Sequence, residues 1–284
     1  MEAACIVSGM GVESSIPTGE PMPLLRVRHL SKRYIQGGWF SRKKFPVTAL
    51  DDISLDVHSR STVALVGESG SGKSTLARCL ARLAEPDSGE IWFREKNLLA
   101  LSSAELFTAR RQIQLIFQNS AAALNPRLSA AEVIAEPLRI QERAGKRERR
   151  RQALAMMERV GLRPDWADRS PVAFSGGQRQ RLAIARALVL KPVLLILDEA
   201  LSGLDLSIQA QIANLLVNLQ AAFSLMYLYI SHDLRLAGYL ADEIAVMQRG
   251  KIVESGNVVE VFSDPKHPYT QVLIASMPRS EAHL

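Results

Sequence analysis

Two kinds of apolar pattern run along this chain. Leu25-Arg-Val-Arg-His-Leu30 and Ile53-Ser-Leu-Asp-Val57 alternate apolar and polar positions, and Glu90–Phe93 adds a short run after Asp87-Ser-Gly89. Such alternation predicts half-exposed antiparallel strands, because successive side chains point to opposite faces. The second kind does not alternate. Val63–Val66, Ile113–Phe117, Val193–Leu197 and Met226–Ile230 are mostly apolar throughout, the pattern of parallel strands covered on both faces. Helical stretches separate them, notably Gln178–Leu190 and Ile208–Ala222. Strand–helix alternation of this kind predicts an α/β fold with a doubly wound sheet and right-handed crossovers, its ligands at the C-terminal ends of the strands.

Other segments fit around that sheet. Gly37–Pro46, with Gly-Gly and a basic cluster, predicts a loop. Asn119–Val172 interrupts the strand pattern with Leu124-Asn-Pro126 and amphipathic stretches such as Ala153–Val160, which predicts a helical insertion. Ile244–Val253 predicts a hairpin turning at Arg249-Gly250. Met1–Pro23 is rich in Gly, Ser and Pro and predicts a flexible leader.

Composition narrows the class. With 284 residues, 47% of them hydrophobic, the chain is long enough for one large α/β domain with a subdomain or two small domains. Much of the net charge of +6 lies in one run, Arg143, Lys146, Arg147, Arg149, Arg150 and Arg151. No aromatic residues interleave there, so the run reads as a solvated helix face and no nucleic-acid partner is expected. Cys5 and Cys79 are the only cysteines, a usage that fits a reducing compartment and suggests neither a disulfide framework nor a metal site. The N-terminal residues carry no secretory pattern. The longest apolar stretch, around Ala183–Leu197, is broken by Arg186, Lys191 and Pro192, so nothing is expected to span a bilayer.

Each non-alternating run ends in chemistry. Val63–Val66 leads into Gly67-Glu68-Ser69-Gly70-Ser71-Gly72-Lys73-Ser74-Thr75, a fit to G-x-x-x-x-G-K-[ST] in its required place between strand and helix. The backbone N–H groups of such a turn and the start of the following helix cradle phosphates. Lys73 is expected on the terminal phosphates and the Ser74 hydroxyl on Mg²⁺, so the chain is expected to bind ATP or GTP. Gln118 ends the second run, Asp198-Glu199 the third and Ser231-His232 the fourth, so four strand ends would converge on one nucleotide. Asp198 suits a direct or outer Mg²⁺ role, and Glu199 suits a general base polarising the attacking water. Two acids after a strand also serve as helix caps, but beside an independent phosphate loop the catalytic reading is preferred.

Ser175-Gly176-Gly177-Gln178 precedes a helix and offers a second anion cradle, with an ordinary N-cap as the alternative. One phosphate group has no need of two cradles in one chain. The second is therefore expected to close over the nucleotide of a companion chain.

Taken together, the phosphate loop, Gln118, Phe174-Ser-Gly-Gly-Gln178, Asp198-Glu199, Ser202-Gly-Leu-Asp205 and His232, in that order, resemble the ATPase subunit of an ABC transporter. The resemblance implies a RecA-like P-loop core with an antiparallel β subdomain and an inserted helical subdomain at about residues 119–173. It places the cassette at 24–260 and a C-terminal tail at 261–284. It also implies a head-to-tail dimer holding ATP between phosphate loop and opposing signature. Gln118 would sense the γ-phosphate and Mg²⁺, and Ser175 and Gly177 would contact the companion's γ-phosphate. Asp205 would cross the dimer interface, and His232 would hold the γ-phosphate and the attacking water. Tyr34 resembles the adenine-stacking aromatic, with Trp39 and Phe40 as competitors for that role.

Phe117–Arg127, ending in Leu-Asn-Pro-Arg, and Asp264-Pro-Lys-His-Pro-Tyr-Thr-Gln-Val-Leu273 resemble the dipeptide, oligopeptide and nickel importers. Ala200 stands where many relatives have proline, a feature nearer to nickel-type subunits, and Asn119-Ser120 replaces an expected Asp-Pro. The chain has no cysteine-bearing extension, so no iron–sulfur site is expected. Implied partners are two integral-membrane permeases, a second ATPase subunit and an extracytoplasmic solute-binding protein. The implied place is the cytoplasmic face of the inner membrane, held peripherally. A soluble ABC ATPase acting on DNA or ribosomes is the alternative; the tandem cassettes, long coiled coils and zinc fingers usual there are missing from the pattern.

Overall fold

The computed structural model describes residues 23–36, 45–141 and 144–277. In chain order the strands are β1 (Leu25–Gln36), β2 (Phe45–Val57), β3 (Thr62–Val66), β4 (Ser88–Phe93), β5 (Lys96–Asn97), β6 (Ile113–Ile116), β7 (Leu194–Asp198), β8 (Met226–Ser231), β9 (Glu243–Gln248) and β10 (Lys251–Asn257). The α-helices are α1 (Lys73–Leu80), α2 (Ser103–Gln112), α3 (Ala130–Gln141), α4 (Lys146–Arg159), α5 (Gly176–Leu188), α6 (Leu206–Phe223), α7 (Leu234–Leu240), α8 (Val258–Ser263) and α9 (Pro268–Ala275). They frame two sheets, an antiparallel one in the order β2-β1-β4-β5 and a larger one in the order β10-β9-β3-β8-β7-β6. In the larger sheet β9, β3, β8, β7 and β6 are parallel, and only β10 runs against its neighbour.

Burial explains the two apolar patterns. Every residue of β3, β7 and β8 is buried. Ala64, Val66, Leu195, Leu197, Tyr227 and Tyr229 join a core with the helices α5 and α6 on one face. Their neighbours Val63, Leu65, Leu194, Ile196, Met226 and Leu228 join a second core with α1, β1, β2 and β4 on the other. A strand lined by apolar groups on both faces has no polar face to alternate with. Tyr227 brings a hydroxyl into this interior and donates it to the Leu216 carbonyl at 2.9 Å, which satisfies the buried group.

The antiparallel strands run longer than alternation suggests. β1 extends through Gln36, and β2 begins at Phe45, so Phe45 and Pro46 belong to a strand and not to the expected loop. Register shifts break the β1–β2 pairing, with His29 at φ 51° and Asp52 at φ 60°, and each bulge resets the alternation. Residues 37–44 of that loop, with Trp39 and Phe40, lie outside the described residues, as do 1–22 of the leader, Cys5 and Arg143. The helical insertion forms as expected, α3 and α4 packing on α5 between β6 and the signature segment. The basic run lies along α4, where Arg150 pairs with Asp168 and Arg151 with Glu148. The hairpin at Arg249-Gly250 also forms, both residues at positive φ as a tight hairpin turn requires. β9 additionally pairs in parallel with β3, which sets the hairpin against the phosphate loop. Among the described residues no helix is long and apolar enough to cross a membrane.

Candidate nucleotide-binding site

The phosphate loop is shaped by steric necessity. A Cβ on Gly67 would lie 2.1 Å from the Met247 carbonyl oxygen, and one on Gly72 would lie 2.2 Å from that of Ala49. Both glycines also sit at positive φ, 148° and 111°, where side chains are disfavoured. The hairpin turn braces the loop, Gly250 N–H donating to the Ser71 carbonyl at 2.8 Å. Gly72 is the N-cap of α1, so the helix starts at Lys73 and aims its first N–H groups into the loop. Lys73 is only 4% exposed. Its ammonium folds back and donates to the carbonyls of Gly67 and Glu68, each at 2.8 Å, and to Ser71 Oγ at 3.3 Å. Burial pulls its pKa down, while Glu199, Asp198 and Glu68 oppose that shift.

The strand ends meet beside this loop. Ser74 Oγ donates to Asp198 Oδ1 at 2.8 Å across the start of α1 and the end of β7. Asp198 is 3% exposed, and burial raises its pKa against the Ser74 hydrogen bond. A hydroxyl and a carboxylate side by side are hard oxygen donors of the kind Mg²⁺ prefers, with phosphate and water left to complete its shell. Among the described residues there is no group of three or more His, Cys, Asp and Glu that could hold a metal.

Glu199 follows at φ 48°, a left-handed conformation that costs a non-glycine residue about 1 kcal/mol. Its backbone is held there on both sides. The N–H donates to Ile230 at 2.9 Å, and the carbonyl accepts from the Ser202 N–H at 3.1 Å and the Ser202 hydroxyl at 2.7 Å. The carboxylate then collects the other strand ends. Gln118 Nε2 donates to Glu199 Oε2 at 2.9 Å, and His232 Nδ1 lies 3.5 Å from Glu199 Oε1. The ends of β6, β7 and β8 thus share one carboxylate, and the start of α1 and the end of β7 share the Ser74–Asp198 bond.

Three predicted groups lie apart from that cluster. Ser175 caps α5 in a capping box: it accepts from the Gln178 N–H at 3.3 Å, and Gln178 Oε1 accepts from the Ser175 N–H at 2.9 Å. Two donors expected to be open are therefore used internally, while those of Gly176 and Gly177 have no intrahelical acceptor. Gly177 has a packing reason as well, since a Cβ there would come 2.7 Å from Ile208. Asp205 is exposed at the N-cap of α6 and makes no side-chain capping bond. Tyr34 lies half-buried on β1 with Lys32 Nζ 5.4 Å from its ring centre.

Sequence reading missed a contact from the tail. Tyr269 Oη accepts from the Glu68 N–H at 3.0 Å, joining α9 to the phosphate loop across 201 positions. Tyr269 lies in a stretch legible only as a tail pattern, and nothing local signals its partner.

A family model described as ABC transporter matches residues 50–202, and one described as the C-terminal region of oligopeptide/dipeptide transporters matches residues 253–284. The dipeptide transport ATP-binding protein DppF of Haemophilus influenzae is 44% identical, aligned over 93% of this chain and 81% of its own length. A probable peptide ABC transporter ATP-binding protein of Sinorhizobium fredii is 46% identical, over 90% of this chain and 72% of its own. Among solved structures, a dimeric ATP-binding cassette in a post-hydrolysis state with ADP and Pi superposes with a TM-score of 0.72 at 29% identity, covering 82% of this chain and 98% of that one. The matched lengths contain the phosphate loop, Gln118, the Ser175 helix start, Asp198-Glu199 and Tyr269, and the chain belongs to the ABC transporter family as an ATP-binding, ATP-hydrolysing cassette with the C-terminal region of the oligopeptide/dipeptide branch.

Proposed function

We propose that this cassette drives uptake of di- or oligopeptides through partner permeases, and that Glu199 is its general base. The observation that carries the catalytic part is the convergence of Gln118 and His232 on Glu199 beside the Ser74–Asp198 pair. The triphosphate enters at Gly67–Thr75, whose N–H groups and helix start supply fixed positive dipoles. Lys73 exchanges its loop carbonyls for the β- and γ-phosphate oxygens. Ser74 and Asp198 would hold Mg²⁺, with Gln118 at its edge, and the bound ion supplies neutralisation of phosphate charge. Glu199 takes the proton of the attacking water on a carboxylate oxygen, while Gln118 and His232 orient water and γ-phosphate. Tyr34 stacks on adenine.

A companion cassette covers this nucleotide with its own signature helix, as Ser175 and the Gly176 and Gly177 N–H groups cover the companion's. Asp205, with its carboxylate unused at home, lies across that interface. The companion is a second copy or a related ATPase. Two integral-membrane permeases and an extracytoplasmic solute-binding protein complete the importer, with this chain on the cytoplasmic face of the inner membrane. The peptide cargo is supported by the names of the relatives and by the matched C-terminal region. A nickel- or metallophore-type cargo rests on the tail pattern shared with nickel importers and on Ala200.

The test is Glu199→Gln in the membrane-purified assembly. ATP is expected to be retained and turnover to fall by about 10²- to 10⁴-fold, the range carried by a general base. Undiminished turnover would remove Glu199 from that role. Co-purification with permeases is expected, and recovery with DNA or ribosomes instead would contradict the importer.

A further inference from the structure

The phosphate loop is braced from two sides. Gly67 is buried, but Glu68, Ser69 and Gly70 are exposed, and the loop has glycines at positive φ on both sides of that turn. From inside, Lys73 ties the Gly67 and Glu68 carbonyls together. Under the proposed function that tie would be lost when the ammonium turns to a phosphate. From outside, the Tyr269 hydroxyl accepts from the Glu68 N–H at 3.0 Å, a bond that does not depend on Lys73.

The hydroxyl is itself firmly placed. The Glu254 carboxylate on β10 accepts from the N–H groups of Lys266 at 2.7 Å and His267 at 2.9 Å, which fixes the approach to α9. His267 caps the helix, its Nδ1 accepting from the Tyr269 N–H at 3.1 Å. Leu273, Ile274 and Met277 then pack on the core that holds β3, β7 and β8. Leu273 and Met277 also share a small hollow with His232 and Arg235, so α9 sits between the phosphate loop and the segment carrying His232. Burial raises the Tyr269 pKa against the opposing hydrogen bond from Glu68.

We propose that Tyr269 is a positioning residue for ATP binding: its hydroxyl holds the first turn of the phosphate loop in the shape that receives a phosphate chain. The C-terminal region thereby acts on the nucleotide site of its own cassette. This inference rests on the phosphate-loop reading given above, and the experiment separates the two.

Tyr269→Phe keeps the ring and its packing and removes only the hydroxyl. In the full chain, calorimetric titration with Mg–ADP is expected to show Kd raised by roughly three- to tenfold, the scale of one hydrogen bond. KM for ATP is expected to rise with it, kcat to stay within about twofold, and the nucleotide-free melting temperature to stay unchanged. Lys73→Ala, measured alongside, reports on the loop itself. Unchanged affinity in Tyr269→Phe with lost affinity in Lys73→Ala overturns the inference and leaves the phosphate loop standing. Unchanged affinity in both overturns the loop reading and the inference with it. A lowered melting temperature in Tyr269→Phe assigns the hydroxyl to folding and also overturns the inference.

Discussion

The chain holds two anion cradles of opposite character. The first, Gly67–Thr75, is finished within the molecule: its lysine is buried, Gly67 and Gly72 are wedged against Met247 and Ala49, and Asp198 and Glu199 stand beside it. The second, Ser175–Gln178, is exposed at its serine and satisfies itself with a capping box. One cradle holds a buried lysine beside two carboxylates, and the other presents the backbone N–H groups of Gly176 and Gly177 at a helix start. Under the proposal above, that helix start would be half of a site whose other half lies on a second cassette.

The comparison can be broken at either cradle. The largest effect after loss of the base is expected at Lys73. Lys73→Ala removes a charge-assisted phosphate contact and should weaken ATP binding by about 10- to 100-fold in the isolated chain, read by calorimetry. An unchanged dissociation constant would mean that the first cradle does not hold the nucleotide.

Ser175→Ala is expected to act differently. Nucleotide affinity of the isolated chain should stay constant, because Ser175 bonds within α5 and not to the phosphate loop. Stability should fall by about 1 kcal/mol for the lost cap, visible in denaturant midpoints. Turnover of the assembled transporter should fall by about tenfold if the hydroxyl meets the companion's phosphate. An equal loss of affinity in the isolated chain would place both cradles on the same nucleotide.

The smallest effect is expected at Tyr34. Tyr34→Ala should raise the ATP dissociation constant by about three- to tenfold, the value of one aromatic stack, while Tyr34→Phe should stay near the parent. Equal losses in both variants would move the adenine contact elsewhere.

Legibility in the sequence followed the range of each signal. β3, β7 and β8 were readable because both their faces are buried, which leaves a run no other environment favours. The phosphate loop and Asp198-Glu199 were readable because a few adjacent residues carry all of the required chemistry. The length of β1 and β2 was hidden by the bulges at His29 and Asp52, where the two-residue period slips. The capping boxes at Ser102–Glu105 and Ser175–Gln178 are both written locally, and only the second carries the paired glycines that suggest a ligand. The docking of β9 beside β3, the Gly250 brace and the Tyr269–Glu68 bond depend on segments about 180 to 200 positions apart. No local pattern encodes them.

The central claim is that this cassette grips one triphosphate with Gly67–Thr75 and a companion's with Ser175–Gln178. Its most direct test is the light-scattering mass of the Glu199→Gln chain with and without Mg–ATP, alone and with the ATPase recovered beside it from membranes. A two-cassette particle that forms only with ATP and is lost in Ser175→Arg is the predicted result. An ATP-saturated chain that keeps single-chain mass in both mixtures, or a dimer indifferent to Ser175→Arg, would contradict it.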